Sequence, residues 1–167
     1  MTAQRASAAL LVAYDGSDRS RHAIEQVVAI LPGTRTVVLH VYELGPPLVP
    51  TAVGAATAVP ADDMPHEAEE RAAESARDRA DEIAREGAGL AESAGLPATS
   101  ETAIARGTAG IADVIVGRAA SAGAALIVLG SHGRSAIGAA LLGSVSTAVL
   151  HRSTVPVLVV PARPGSD

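Results

Sequence analysis

The sequence predicts an α/β protein built on a doubly wound, five-stranded parallel sheet with helices on both faces. Three observations predict it. Five short apolar or alternating runs are separated by four longer stretches of helical period. The runs Ala9–Tyr14, Thr36–Tyr42 and Ala124–Leu129 are almost unbroken in apolar character, as in strands covered on both faces. The first strand, its helix and the second strand fit within about 35 residues, the length of one βαβ unit.

Each element follows from its residues. Ala9–Tyr14 is stopped by Asp15-Gly16-Ser17-Asp18, where Ser17 or Asp18 can cap the next helix. That helix places Ala23, Ile24, Val27, Val28 and Leu31 on one face and ends at Pro32-Gly33. The second strand is Thr36–Tyr42. Residues 44–65 are read as a flexible insertion holding Pro46, Pro47, Pro50 and Pro60, either a lid or, preferred, a solvated loop. A long helix over 67–94 carries a stripe of small residues, Ala68, Ala72, Ala76 and Ala80, followed by Ile83 and Ala84, expected to pack closely on the sheet. Glu67–Arg71 and Asp81–Arg85 stand at i,i+4 spacing on its solvated faces. Thr99–Ala105 is polar and alternating, which places it near an edge. Gly107-Thr108 is expected to open the next helix, with Ile111, Val114, Ile115 and Ala119 inward. A last helix runs from Ser144 to about His151, and Val155–Val160 is the final strand. Pro156 lacks an N–H, so this strand is read as an edge or as starting its pairing there.

Composition sets the classes of function. The 167 residues are read as one domain, and with 48% hydrophobic and 19% charged residues the chain is no disordered protein. The net charge of -5 argues against a broad nucleic-acid or membrane surface. No cysteine and no lysine occur, so disulfides, thiolate chemistry, a Schiff base and a Walker-type lysine are excluded. The start of the chain is polar and short, with no targeting or membrane segment, and the expected location is the cytoplasm.

The chemistry concentrates between Ala124 and Ser146. A buried strand ends at Gly130, followed by Gly133, Gly143, Ser144 and Ser146 as a helix begins. Glycines allow positive φ and let an anion approach the main chain, and a helix N-terminus offers N–H groups to it. Ser144 and Ser146 add hydroxyl donors, so the stretch reads as a phosphate cradle. Gly130, two residues, Gly133, nine residues, then Gly143-Ser144 resembles the ATP-binding signature of the universal stress protein family. The opening L-L-V-A-Y-D-G-S, the H-V-Y of the second strand and the closing S-T-V-P-V-L-V-V extend the likeness along nearly the whole chain.

The resemblance implies strand order 3-2-1-4-5, which sets the first and fourth strands side by side at the switch point and Asp15 near Gly130. It also implies that Gly130, Gly133, Gly143 and Ser144 carry phosphate and ribose contacts, with Asp15 beside the nucleotide and Val41 near the base. From the residues themselves, Asp15 stands at a strand end and can accept from ribose hydroxyls or hold a metal's water, or else cap the helix. With no Phe or Trp, the base would rest on Ala13, Val41 and Leu129, and stacking is limited to Tyr14 or Tyr42. Val145, His132 and Ser146 complete the candidate nucleotide-binding residues, and Arg134 is a weaker candidate for charge. No histidine pair has metal-ligand spacing, so any metal is Mg²⁺ brought by the phosphates.

Three functions compete. The leading one is a stress or signalling protein that binds ATP without turning it over, with AMP or cyclic AMP as a variant ligand. The second is a slow ATPase or nucleotidyl-transfer enzyme using His132 and Asp15. The third is an interaction module that has lost its ligand. The apolar edge V-P-V-L-V-V needs cover, and the resemblance implies a homodimer through Val155–Val160.

Overall fold

The computed structural model describes residues 9–44, 48–50, 56–58, 66–105, 110–131 and 142–163. In chain order these form β1 (Ala9–Ala13), α1 (Asp18–Ile30), β2 (Thr36–Glu43), β3 (Leu48–Pro50), β4 (Ala56–Ala58), α2 (His66–Ser93), β5 (Ala98–Ala105), α3 (Ile111–Ser121), β6 (Ala124–Gly130), α4 (Ser144–Arg152) and β7 (Val157–Val160). Five strands make one parallel sheet in the order β5-β2-β1-β6-β7, the expected 3-2-1-4-5. The connections from β1 and from β6 leave in opposite directions, so the switch point lies between these two neighbours.

Strand alternation sorts the core into two layers. Leu10 and Val12 of β1 and Val38 of β2 pack with Ala23, Ile24 and Val27 of α1 and Ala88 and Ala91 of α2. Leu11, Leu39, Ile127 and Leu129 point the other way, onto Ile115 and Ala119 of α3 and Val149 of α4. The central strands are therefore buried on both faces, which explains their continuous apolar runs.

The helix α1 starts as its sequence dictates. Ser17 is the N-cap and accepts from the Ser20 N–H at 3.2 Å. Before it, Gly16 turns the chain with φ +79°, a conformation that favours glycine.

Four expectations are corrected. The 44–65 stretch is not wholly loop, because Leu48–Pro50 and Ala56–Ala58 pair as a short antiparallel ribbon, and its remainder lies outside the described residues. The small-residue stripe of α2 buries only its later part: Ala80, Ala84, Gly87, Ala88 and Ala91 are covered, whereas no residue from His66 to Arg79 is buried. Asp81 accepts from the Thr102 hydroxyl at 2.8 Å and so faces β5 rather than solvent, while the Glu67–Arg71 pair forms at 2.9 Å. α3 begins at Ile111 behind Gly110, and Gly107 and Thr108 lie outside the described residues. Both polar Thr99–Ala105, within β5, and the final strand, β7, are edges, and Pro156 gives its carbonyl to the Ile127 N–H just before β7 begins. Among the described residues no helix is long and apolar enough to cross a membrane.

Candidate functional site

The C-terminal ends of β1, β2 and β6 open into one crevice of about 360 Å³. Its apolar part is made by Ala13, Leu39, Val41 and Leu129 from the sheet, with Ile111 and Ile115 one turn apart on α3. Asp15, Ser20, His40 and Tyr42 also line the crevice, with Gly130 at the end of β6 and Val145 and Ser146 from α4. Asp113 steadies α3 there: it accepts from the Gly110 N–H at 3.3 Å and pairs with Arg152 at the end of α4 at 2.8 Å.

The base of the glycine loop is tied at three points. The Ser131 N–H donates to the Val160 carbonyl at 2.7 Å, the Gly143 N–H to the Ser131 carbonyl at 2.7 Å, and the Ser146 hydroxyl to the Gly130 carbonyl at 2.9 Å. The end of β6 and the start of α4 are thus clamped together. Neither described glycine of this motif uses positive φ. Gly130 is small because a Cβ there would meet the Arg19 backbone at 3.1 Å, so β6 packs directly on the first turn of α1. Gly143, at φ -63°, is the N-cap of α4.

Of the residues singled out in the sequence, Ala13, Asp15, Val41, Leu129, Gly130, Val145 and Ser146 come together around the crevice. Gly143 and Ser144 stand at the N-terminus of α4, outside its lining. His132, Gly133 and Arg134 lie outside the described residues. Asp15 is not the helix cap, since Ser17 holds that position. It accepts the Ser17 N–H at 3.1 Å with one oxygen, which orients the carboxylate at the crevice. The Ser146 hydroxyl gives its hydrogen to Gly130 rather than holding it ready for an anion, because the strand's last carbonyl needs a partner where it is buried.

Tyr14 does not lie as a stacking platform. Its ring packs against Gly87 of α2, where a Cβ would fall 2.7 Å away, and its hydroxyl donates to Glu86 at 2.8 Å. Burial, helped by the Glu86 bond, pushes the phenol up to about 12. The Arg21 guanidinium, bonded to Glu86 at 2.8 Å, holds that carboxyl below its ordinary range, with Tyr14 adding to the effect.

Ser20, Leu39, His40, Ile111 and Ile115 also line the crevice and were not picked out as site residues in the sequence. Leu39, Ile111 and Ile115 look like ordinary core residues there, and α3 reaches the site only through a connection that passes over two strands. His40 carried a signal, since it stands in the H-V-Y that ends the second strand.

A doubly wound sheet with a crevice outside the strand ends at its switch point defines a ligand-binding α/β protein. The chain belongs to the universal stress protein family, whose model matches residues 8–161. A 39-residue stretch is 62% identical to universal stress protein Rv2005c of Mycobacterium tuberculosis, covering 23% of this chain and 13% of that protein. The same figures hold for universal stress protein Mb2028c of Mycobacterium bovis, so the match spans about an eighth of these curated relatives. Among solved structures, hypothetical protein MJ0577 is 25% identical with a TM-score of 0.64, over 95% of this chain and 99% of that one. A universal stress protein in complex with cAMP is 25% identical with a TM-score of 0.57, over 93% and 97%. A universal stress protein from Archaeoglobus fulgidus DSM 4304 is 26% identical with a TM-score of 0.63, covering 94% of this chain and 51% of that one.

Proposed function

We propose that the protein binds an adenine nucleotide, ATP in the first instance, in this crevice, and that it acts in a cytoplasmic stress or signalling response by binding rather than turnover. One observation carries the reading: a crevice of about 360 Å³, apolar along the sheet and α3, lies at the switch point, where the end of β6 is clamped to the start of α4. A flat base fits between Ala13, Val41, Leu129 and the two isoleucines of α3. Asp15 stands where a ribose would lie. The phosphates extend toward the loop that begins after Ser131 and ends at Gly143, with His132, Gly133 and Ser144 as their contacts and Mg²⁺, if present, carried on them. Binding without turnover is supported by a chain with neither lysine nor cysteine. The cAMP-bound relative favours cyclic AMP as a second reading of the same site.

Thermal shift tests both. Ligand at a hundredfold excess over its dissociation constant contributes about 2.7 kcal/mol, which for a domain of this size is a rise of roughly 5–10 °C. ATP with Mg²⁺ is expected to give that rise and GTP not. A larger rise with cyclic AMP selects the second reading, and no rise with any adenine nucleotide contradicts both.

The open edge of β7 supports a homodimer in which two copies pair along Val155–Val160. Pro156, Leu158 and Val160 turn their carbonyls to β6, which leaves the N–H and C=O groups of Val157 and Val159 directed outward.

A further inference from the structure

Near the end of β2, the Nδ1 atom of His40 lies 2.7 Å from the Tyr14 carbonyl oxygen. A carbonyl only accepts, so Nδ1 carries the hydrogen. In the neutral ring this leaves Nε2 as an acceptor with a free lone pair. His40 is only 8% exposed and lines the crevice. Among the described residues no donor pairs with Nε2, yet no buried side-chain nitrogen or oxygen is sealed away without a partner. Nε2 is therefore not sealed inside the protein, and the crevice is an opening that His40 lines. Asp15, a carboxylate that only accepts, lines the same crevice, while the Ser20 hydroxyl is engaged within the turn, giving its hydrogen to the Ser17 carbonyl at 2.9 Å and accepting from the Asp15 N–H at 3.5 Å. The two open acceptors ask for donors.

Resting on the nucleotide reading above, we propose that Nε2 of His40 accepts a hydrogen bond from the nucleoside part of the ligand, making His40 a specificity-determining residue. The donor is an N–H of the exocyclic amine or an O–H of the ribose. A ligand without that hydrogen leaves a buried lone pair unpaired and is rejected for it. A purely structural His40 would hold β2 to the end of β1 through Nδ1 and be indifferent to the ligand's donors.

The two roles separate by calorimetry with four probes: ATP, purine riboside triphosphate, 2′-deoxy-ATP and 3′-deoxy-ATP. The wild-type protein is expected to bind one analogue roughly tenfold more weakly than ATP; which analogue it is identifies the amine or the hydroxyl. His40→Asn keeps an N–H near the place of Nδ1 but has nothing at Nε2. It is expected to bind ATP and that analogue alike. His40→Gln carries an amide oxygen toward the place of Nε2 and is expected to keep part of the discrimination. Equal ATP-to-analogue ratios in wild type and His40→Asn overturn the proposal. A variant-free measurement guards against misfolding: the imidazole ¹⁵N signal of Nε2 in the wild-type protein is expected to move when ATP saturates it. ATP bound with that signal unmoved overturns the role of His40 alone, whereas no ATP binding by the wild type overturns the nucleotide reading and this inference with it.

Discussion

A methyl group added at Gly130 would stand 3.1 Å from the carbonyl carbon and oxygen of Arg19. Those atoms belong to the first turn of α1 and cannot swing aside, so the end of β6 must move by a few tenths of an ångström. Gly130→Ala is expected to cost about 1 kcal/mol in urea denaturation and to weaken nucleotide binding by displacing the crevice wall. Gly87→Ala is the harsher change. Its Cβ would lie 2.7 Å from the Tyr14 ring and 2.9 Å from Val38, both fully buried, and a loss of about 2–3 kcal/mol is expected. Equal costs for the two would contradict the packing described. The Tyr14 phenol gives a pH signature. Its pKa rises from near 10 unfolded to about 12 folded, through burial and the Glu86 bond. The fold favours the neutral phenol, so this stabilisation is complete below pH 10 and is lost as pH climbs toward about 12. Stability measured across that window is expected to fall more steeply in the wild type than in Tyr14→Phe.

At the scale of elements, β1, β2 and β6 were legible as apolar runs because burial on both faces keeps most of their residues apolar. β3 and β4 were hidden because three-residue strands among prolines carry no period. The stripe on α2 misled for a geometric reason. A 28-residue helix is about 42 Å long, whereas the eight-residue strands beneath it reach about 26 Å. The helix is longer than the strands, and its alanines before Ala80 stay exposed or only half-buried; period tells which face turns inward, not where the sheet ends. The site divides in the same way. Its walls at the ends of β1 and β6 and the start of α4 were legible as local motifs. Ile111 and Ile115 were not, since only the long crossover from β5 to β6 brings them there. At the edge, Val159→Pro removes an N–H that β6 does not use. It is expected to leave the monomer folded and to halve the mass seen by light scattering; an unchanged dimer would place the contact elsewhere.

Taken whole, the molecule gathers its candidate ligand-facing groups at the C-terminal ends of its central strands, between the two core layers. The chain has two tyrosines and neither Phe nor Trp, and both tyrosines line the crevice. The Tyr42 ring is the reporter at the crevice, while the buried Tyr14 ring, packed on Gly87 of α2, serves as an internal reference. The most direct measurement is an NMR titration of protein with ring-labelled tyrosine, using ATP with Mg²⁺ and then GTP. Saturable movement of the Tyr42 ring signal with ATP, and not with GTP, is the predicted result. A Tyr42 signal that stays still at millimolar ATP would contradict an adenine-nucleotide site in this crevice.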